Sequence, residues 1–275
     1  MLDYRDEGLA IFQSALYQTT STVVWTRELV LVTDPCWLPG EVQEIRSFVD
    51  SVRGDRPCYL LFTHGDFDHI LGWKAFPEAR TIGSRGLHHH PEKEKQLLLI
   101  REFDAAHYVD RGYPVDFPVL DHVMEEDGQK LVLGETVLTF YLAPGHTEDG
   151  LFTVVEPLGL LLAGDYLSDF ERPFVSHSAS AYEETLEKAL ALLNRHAIRH
   201  LVPGHGRHTA DRTEMRRRLT LAQDYLARLK RAVLEGDEGE MERMKGEHAY
   251  PSAFTEECHR ENIRIIRAEL GLEEK

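Results

Sequence analysis

Hydrophobic and polar positions change their period along this chain in a definite order. Residues 21–26 and 29–33 are short runs rich in Val, Leu and Thr; Val42, Ile45, Phe48, Val49 and Val52 then recur at helical spacing, and 59–62 is apolar again. Strand, strand, helix, strand predicts a layered α/β core. Residues 88–121 show no clear period, although 92–103 could be helical. From 123 the pattern turns to short strands at 130–133, 136–142, 151–156 and 158–163, separated by Gly and Pro, which predicts an antiparallel meander. A helix over 183–196 places Leu186, Ala189, Leu190 and Leu193 on one face, and a short strand follows at 200–202. From 211 the chain becomes helical and charged: Met215, Leu219, Ala222, Leu226, Leu229 and Val233 keep one period, 254–270 offers a second helix, and 236–246 reads as the break between them.

The 275 residues are 42% hydrophobic, enough for one large core or two small ones. Charge narrows the partners. With 31 basic against 47 acidic side chains the formal charge is -16, which repels a phosphate backbone and argues against nucleic acid. The first residues include Asp3, Arg5, Asp6 and Glu7, the wrong chemistry for a signal peptide, and no apolar run approaches the roughly 20 residues of a membrane span. A cytoplasmic location without a membrane partner is therefore expected. Cys36, Cys58 and Cys258 are far apart and form no C-x-x-C pair, so neither a disulfide framework nor a thiolate metal site is indicated.

Candidate chemistry is concentrated at the ends of apolar runs. His64, Asp66, Asp68 and His69 fall within six residues directly after the run 59–62. Imidazole and carboxylate together suit borderline and hard divalent metals. The same grammar recurs at Pro144-Gly145-His146, Gly164-Asp165 and Pro203-Gly204-His205, each following an apolar run and each with a glycine that permits a tight turn. Seven donors on four strand ends point to one metal centre.

This ordered set resembles the metallo-β-lactamase superfamily, whose pattern is H-x-H-x-D-H followed in turn by Gly-His, Gly-Asp and Gly-His. The resemblance covers residues 21–206 and implies a four-layer αββα sandwich with its metals at one edge, here with added C-terminal helices: a catalytic domain over 1–210 and a helical extension over 211–275. It implies two divalent ions, one held by His64, Asp66 and His146, the other by Asp68, His69 and His205, with Asp165 bridging. Asp66 stands where most of the family has histidine. The flavodiiron branch places a carboxylate there and binds iron; zinc is still expected first, and the hard oxygen ligands admit manganese or iron beside it. The implied activity is hydrolysis of a small-molecule ester, thioester or lactone by a hydroxide held between the ions and oriented by Asp68. The alternative is a non-haem diiron oxidoreductase or oxygen-sensing protein of the same fold.

Other residues carry weaker expectations. Tyr166, one residue after Asp165, could polarise a substrate carbonyl; Phe67 could wall the pocket, and Trp73 suits the core. Asp34 could orient a metal ligand or simply begin a turn. His88, His89 and His90 read as an exposed turn near the cleft rim. Arg216, Arg217 and Arg218 read as a solvated helix face beside Glu214. The helices after 211 are expected to roof the cleft, so that removing them would harm substrate binding more than metal binding; a homodimer is compatible with the same helices.

Overall fold

A computed structural model describes residues 1–272; Glu273 to Lys275 of the expected extension lie outside the described residues. The first sheet has seven strands in sequence order: β1 (Leu2–Asp6), β2 (Leu9–Gln13), β3 (Thr20–Trp25), β4 (Val30–Thr33), β5 (Cys58–Leu61), β6 (Arg80–Ser84) and β7 (His122–Met124). Its first four strands are antiparallel, and β4 to β7 are parallel. Helix α1 (Pro39–Arg53) makes the β4–β5 crossover; α2 (Phe67–Ile70), α3 (Arg85–His88) and α4 (Lys93–His107) follow later strands. The second sheet contains β8 (Gln129–Leu133), β9 (Thr136–Leu142), β10 (Leu151–Glu156), β11 (Leu160–Leu162) and β12 (His200–Val202), with order β12-β11-β10-β9-β8. β8 to β11 form the expected antiparallel meander, while β12 joins β11 in parallel after α5 (Ala179–Arg195).

Side-chain alternation assembles these elements into four layers. In β4 and β5, Val30, Val32, Cys58 and Leu60 face α1 and α4, which contribute Val42, Ile45, Val49, Leu97 and Ile100. Leu31, Tyr59 and Leu61 point the other way and meet Leu138, Phe140, Leu151 and Val155 of the second sheet. The outer face of that sheet, with Phe152, Val154 and Leu161, packs on Leu186, Ala189 and Leu193 of α5. Strands buried on both faces read as unbroken apolar runs, which is why 59–62 shows no alternation.

The C-terminal segment forms α6 (Arg212–Glu235), α7 (Glu238–Lys245) and α8 (Ala253–Glu269). The stretch 236–246, expected as a break, is itself mostly helical: Asp237 caps α7 by accepting from the Glu240 N–H at 2.9 Å, and Met241 and Met244 are buried. Nor do these helices own a separate core. Met215, Tyr225, Leu226, Leu229 and Ile266 lie in one cluster with α5 and the outer face of the second sheet. Among the described residues no helix is long and apolar enough to cross a membrane. β1, β2, β6 and β7 had no counterpart in the periodicity. Leu9, Ala10, Ile11 and Phe12 are consecutive buried residues, β6 is polar at both ends, and β7 is only three residues long.

Candidate metal centre

The four ligand-bearing turns follow β5, β9, β11 and β12, so one sheet supplies His64 to His69 and the other supplies His146, Asp165 and His205. All seven meet at one end of the sandwich: six form two triads, His64, Asp66 and His146, and Asp68, His69 and His205, and the seventh, Asp165, groups with His64 and His69. In the first, Asp66 Oδ2 lies 3.6 Å from His64 Nε2 and 3.3 Å from His146 Nε2. In the second, Asp68 Oδ2 lies 3.6 Å from His69 Nε2 and 3.4 Å from His205 Nε2, and the two nitrogens are 3.4 Å apart. Asp165 stands between them, with Oδ1 3.2 Å from His69 Nε2, and Oδ2 3.2 Å from His146 Nε2 and 3.3 Å from His205 Nε2.

These separations fit a metal. Tetrahedral donors at about 2.0–2.1 Å from an ion lie about 3.3–3.4 Å from one another. The unused valences agree: His64 Nε2, His146 Nε2 and Asp165 Oδ1 are buried and have no hydrogen-bond partner, a costly arrangement unless a cation faces them. Burial favours neutral imidazoles, yet the carboxylates of Asp68, Asp165 and Asp34 hold His69 well above its ordinary pKa. Burial likewise opposes protonation of His205, but Asp165 and Glu171 push it up to about 10. A cluster this rich in carboxylate demands positive charge.

Each imidazole is fixed from behind. His69 Nδ1 donates to Asp34 Oδ2 at 3.0 Å, His146 Nδ1 to the Phe174 carbonyl at 2.8 Å and His205 Nδ1 to the Tyr17 carbonyl at 2.9 Å. Asp34 also accepts from the Thr63 N–H at 2.9 Å and from Thr63 Oγ1 at 2.5 Å, and that hydroxyl accepts from His64 Nδ1 at 3.0 Å. All four Nε2 lone pairs are thereby left pointing at the centre. Asp34 therefore serves the ligands rather than an idle turn, and it adopts φ 45, a left-handed conformation that Asp tolerates. Gly204 is required by proximity, because a Cβ there would lie 2.1 Å from Asp165 Oδ1.

The family that unites such turns is settled by sequence: a family model described as the metallo-beta-lactamase superfamily matches residues 15–228. The chain belongs to the metallo-beta-lactamase superfamily. The probable metallo-hydrolase YqgX of Bacillus subtilis (strain 168) is 27% identical over 187 residues, spanning 67% of this chain and 83% of the relative. Among solved structures, a metallo-beta-lactamase family protein from Thermus thermophilus superposes with TM-score 0.66 and 18% identity over 96% of this chain and 94% of its own. The stereoselective inverting sec-alkylsulfatase Pisa1 from Pseudomonas sp. gives TM-score 0.71 and 12% identity over 98% of this chain. The chain spans about half the length of that sulfatase (50%). At these identities the two structures speak for the fold alone.

Within this superfamily fold, the triads open on a cleft of about 540 Å³. Phe67, His90, Gln96 and Leu99 lie on one side of it, and Phe254, Thr255, Cys258 and Glu261 of α8 on the other. The helical segment thus roofs the centre as expected, and His90 reaches the rim. Tyr166 does not serve as expected. It is 3% exposed, and its hydroxyl accepts from the His146 N–H at 3.0 Å and donates to the Pro144 carbonyl at 2.9 Å, so it shapes the His146 turn and does not face the substrate. Trp73 is only partly buried against the core, and its indole donates to the Asp116 carbonyl at 2.7 Å. Arg218 departs from the solvated face assigned to it. It is 4% exposed, pairs with Glu214 at 2.9 Å, and donates to the carbonyls of Leu167 and Arg207.

Sequence reasoning missed Gln96. Its Nε2 donates to Asp66 Oδ1 at 3.2 Å and its Oε1 accepts from the Phe67 N–H at 3.0 Å, so α4 holds the variant carboxylate. It also missed Thr19, whose hydroxyl lies 3.4 Å from Asp68 Oδ2 and accepts from Trp37 Nε1 at 2.9 Å. Neither position stands out in a single sequence. Glu171 lines the same cleft, and burial pushes its carboxyl up to about 7.

Proposed function

We propose that this protein hydrolyses a small-molecule ester, thioester or lactone at a binuclear centre. The observation that carries the reading is the meeting of both triads at Asp165 on the floor of a cleft sized for a small ligand. Divalent ions held there would polarise the scissile carbonyl and acidify a water. His64, Asp66 and His146 would hold one ion, and Asp68, His69 and His205 the other, with Asp165 shared. Asp68, steadied by Thr19, lines the cleft beside the space where a water would approach a substrate and is placed to accept its proton. Phe67, Leu99, Phe174 and Phe254 exclude bulk solvent around an apolar portion of the substrate. Zinc is the expected occupant, and the cytoplasm the expected location.

The carboxylate at Asp66 favours one second reading, an iron-containing redox or oxygen-sensing centre. Metal analysis and an optical spectrum of protein purified from its own host, with a panel of chromogenic ester, thioester, lactone and sulfate-ester substrates, separate the two. Colourless protein that cleaves an acyl substrate supports hydrolysis. Iron with a charge-transfer band and no acyl cleavage would overturn it, and cleavage confined to the sulfate ester would move the substrate class.

A further inference from the structure

Arg172 lies on the wall of the cleft that contains the metal ligands, seven residues beyond Asp165. Its Nε is buried without a hydrogen-bond partner, and among the described residues its guanidinium forms no hydrogen bond or ion pair. A partly buried arginine without a partner is rare and costly. The neighbouring carboxylates do not pair with it, although Glu247 is near enough to feel its charge. Glu247 is occupied by Arg228, at 2.8 Å and 3.0 Å, and Glu171 has its electrostatic neighbours on the metal side, in His205, Asp165, Asp68 and His146. A second unpaired donor faces the same cleft: His248, in the link between α7 and α8, buries Nε2 with no partner.

We propose that Arg172, assisted by His248, binds a carboxylate on the substrate, so that the substrate is a monoanionic acid derivative whose scissile group lies at the metal centre. The proposal rests on the hydrolytic reading and narrows it. A guanidinium fork matches the two coplanar oxygens of a carboxylate, and a ring N–H beside it supplies a third donor. Charge balance sets the class. Burial, with His259 and Arg172 nearby, outweighs the opposing pull of Glu247 and favours a neutral His248, so Arg172 is the cation of the subsite. Glu92, Glu148, Asp149, Glu171 and Glu261 line the same cleft in a chain of net charge -16, so a dianionic phosphate monoester meets more repulsion than a carboxylate.

The test uses two matched pairs on the metal-loaded full chain. Kinetics compare the p-nitrophenyl ester of glutaric acid, with its free distal carboxylate, with the p-nitrophenyl ester of glutaramic acid, its neutral isostere. Calorimetry compares 5-oxohexanoate with 5-oxohexanamide, in which a ketone replaces the ester so that no turnover can occur. The wild-type protein should favour the carboxylate member of each pair by roughly 10- to 100-fold, the value of a charge-assisted hydrogen bond. Arg172→Met should reduce that preference to less than about twofold, and Arg172→Lys should restore part of it. Arg172→Gln and His248→Asn provide the same readout if the methionine variant fails to fold. Preference that persists in the folded Arg172 variants, or is missing from the wild type, overturns the proposal. Binding that discriminates through Arg172 while neither ester is cleaved would sustain this subsite and sink the acyl-hydrolase reading; cleavage of both esters at equal rates would do the reverse.

Discussion

Asp34→Asn removes one charge and changes one atom, yet it should disturb two metal ligands. Asn tolerates the left-handed backbone at this position as Asp does, so the fold is not strained by the exchange. The oxygens it replaces have fixed tasks. Oδ1 accepts from the Thr63 N–H, and Oδ2 accepts from both Thr63 Oγ1 and His69 Nδ1. If the new amide NH2 takes the Oδ2 place, it presents a donor to His69 Nδ1 and to the Thr63 hydroxyl. His69 must then carry its proton on Nε2, and Thr63 must turn its proton toward His64 Nδ1, which moves the His64 proton to Nε2 as well. Two lone pairs at the centre are lost. If the NH2 instead takes the Oδ1 place, it opposes the buried Thr63 N–H, donor against donor, at a cost of about 1–3 kcal/mol.

The first arrangement weakens metal binding and the second weakens the fold, and the protein will settle on the cheaper mixture. Partners behind a metal ligand typically govern 10- to 100-fold in affinity, about 1.4–2.7 kcal/mol. Competition against a chromogenic chelator, with zinc and with manganese, measures that loss; thermal unfolding of the metal-free proteins measures the other. The expected result is a fall of about tenfold or more in affinity for at least one ion, or a metal-free melting point lower by roughly 2–8 °C. An Asp34→Asn variant that binds both ions as the wild type does, and melts at the same temperature without metal, would refute the assignment of Asp34 as the group that fixes these rings.

Asp66→His replaces a hard oxygen donor with imidazole and should shift the ratio of bound zinc to manganese toward zinc; an unchanged ratio in competition assays would mean that Asp66 does not ligate. Gly204→Ala places a Cβ 2.1 Å from Asp165 Oδ1, so the carboxylate must move by about an ångström, and metal analysis should show a lost or weakened ion with activity reduced roughly 100-fold. Asn262→Leu leaves the Val175 N–H and the Pro173 carbonyl without partners and should cost about 2–4 kcal/mol in urea unfolding, with weaker metal binding at the His146 triad; lost stability with unchanged affinity would confine Asn262 to the fold. The hydrogen bond from Arg217, with Arg218 beside it, holds Glu214 down to about 2 against an ordinary value of 4.5. Its contribution is complete above about pH 4.5 and disappears as pH falls toward 2, so Glu214→Gln should flatten that part of the acid-unfolding curve, and an unaltered curve would contradict it.

The layered α/β core, the meander and all seven donors were legible because each depends on local order: apolar runs that end in Gly-flanked His or Asp. What escaped depends on contacts distant in sequence. Gln96 meets Asp66 across 30 residues, and the choice between the two readings of Asp34 rests on its contact with His69 across 35. β6, with Arg80 at its start and Gly83 within it, lacks the apolar density that marks a strand, and only pairing with β5 and β7 makes it one. Tyr166 was misread for a related reason. Position next to Asp165 fixes its backbone, but the sharp turn at Gly164 sends its side chain inward, where its ring packs at a tilt against Tyr182, 4.3 Å between centroids.

The C-terminal helices were expected to serve the substrate, and their contacts give them a second task. Arg218 of α6 donates to carbonyls on both sides of the centre, at Leu167 just after Asp165 and at Arg207 just after His205, and so ties two ligand turns together. Asn262 of α8, 0% exposed, accepts from the Val175 N–H at 2.8 Å and donates to the Pro173 carbonyl at 2.8 Å. Phe174, the residue between them, accepts from His146 Nδ1 through its own carbonyl. Glu269, near the end of α8, accepts from the N–H groups of Ala179 and Ser180 and so fixes the start of α5 behind the same segment. Three of the four ligand turns are therefore braced by α6 and α8, while Phe254 and Cys258 of α8 also wall the cleft. Removing residues after 211 would open the core shared with α5 and free those turns, so metal binding should fail along with substrate binding, against the expectation from sequence that the two could be separated.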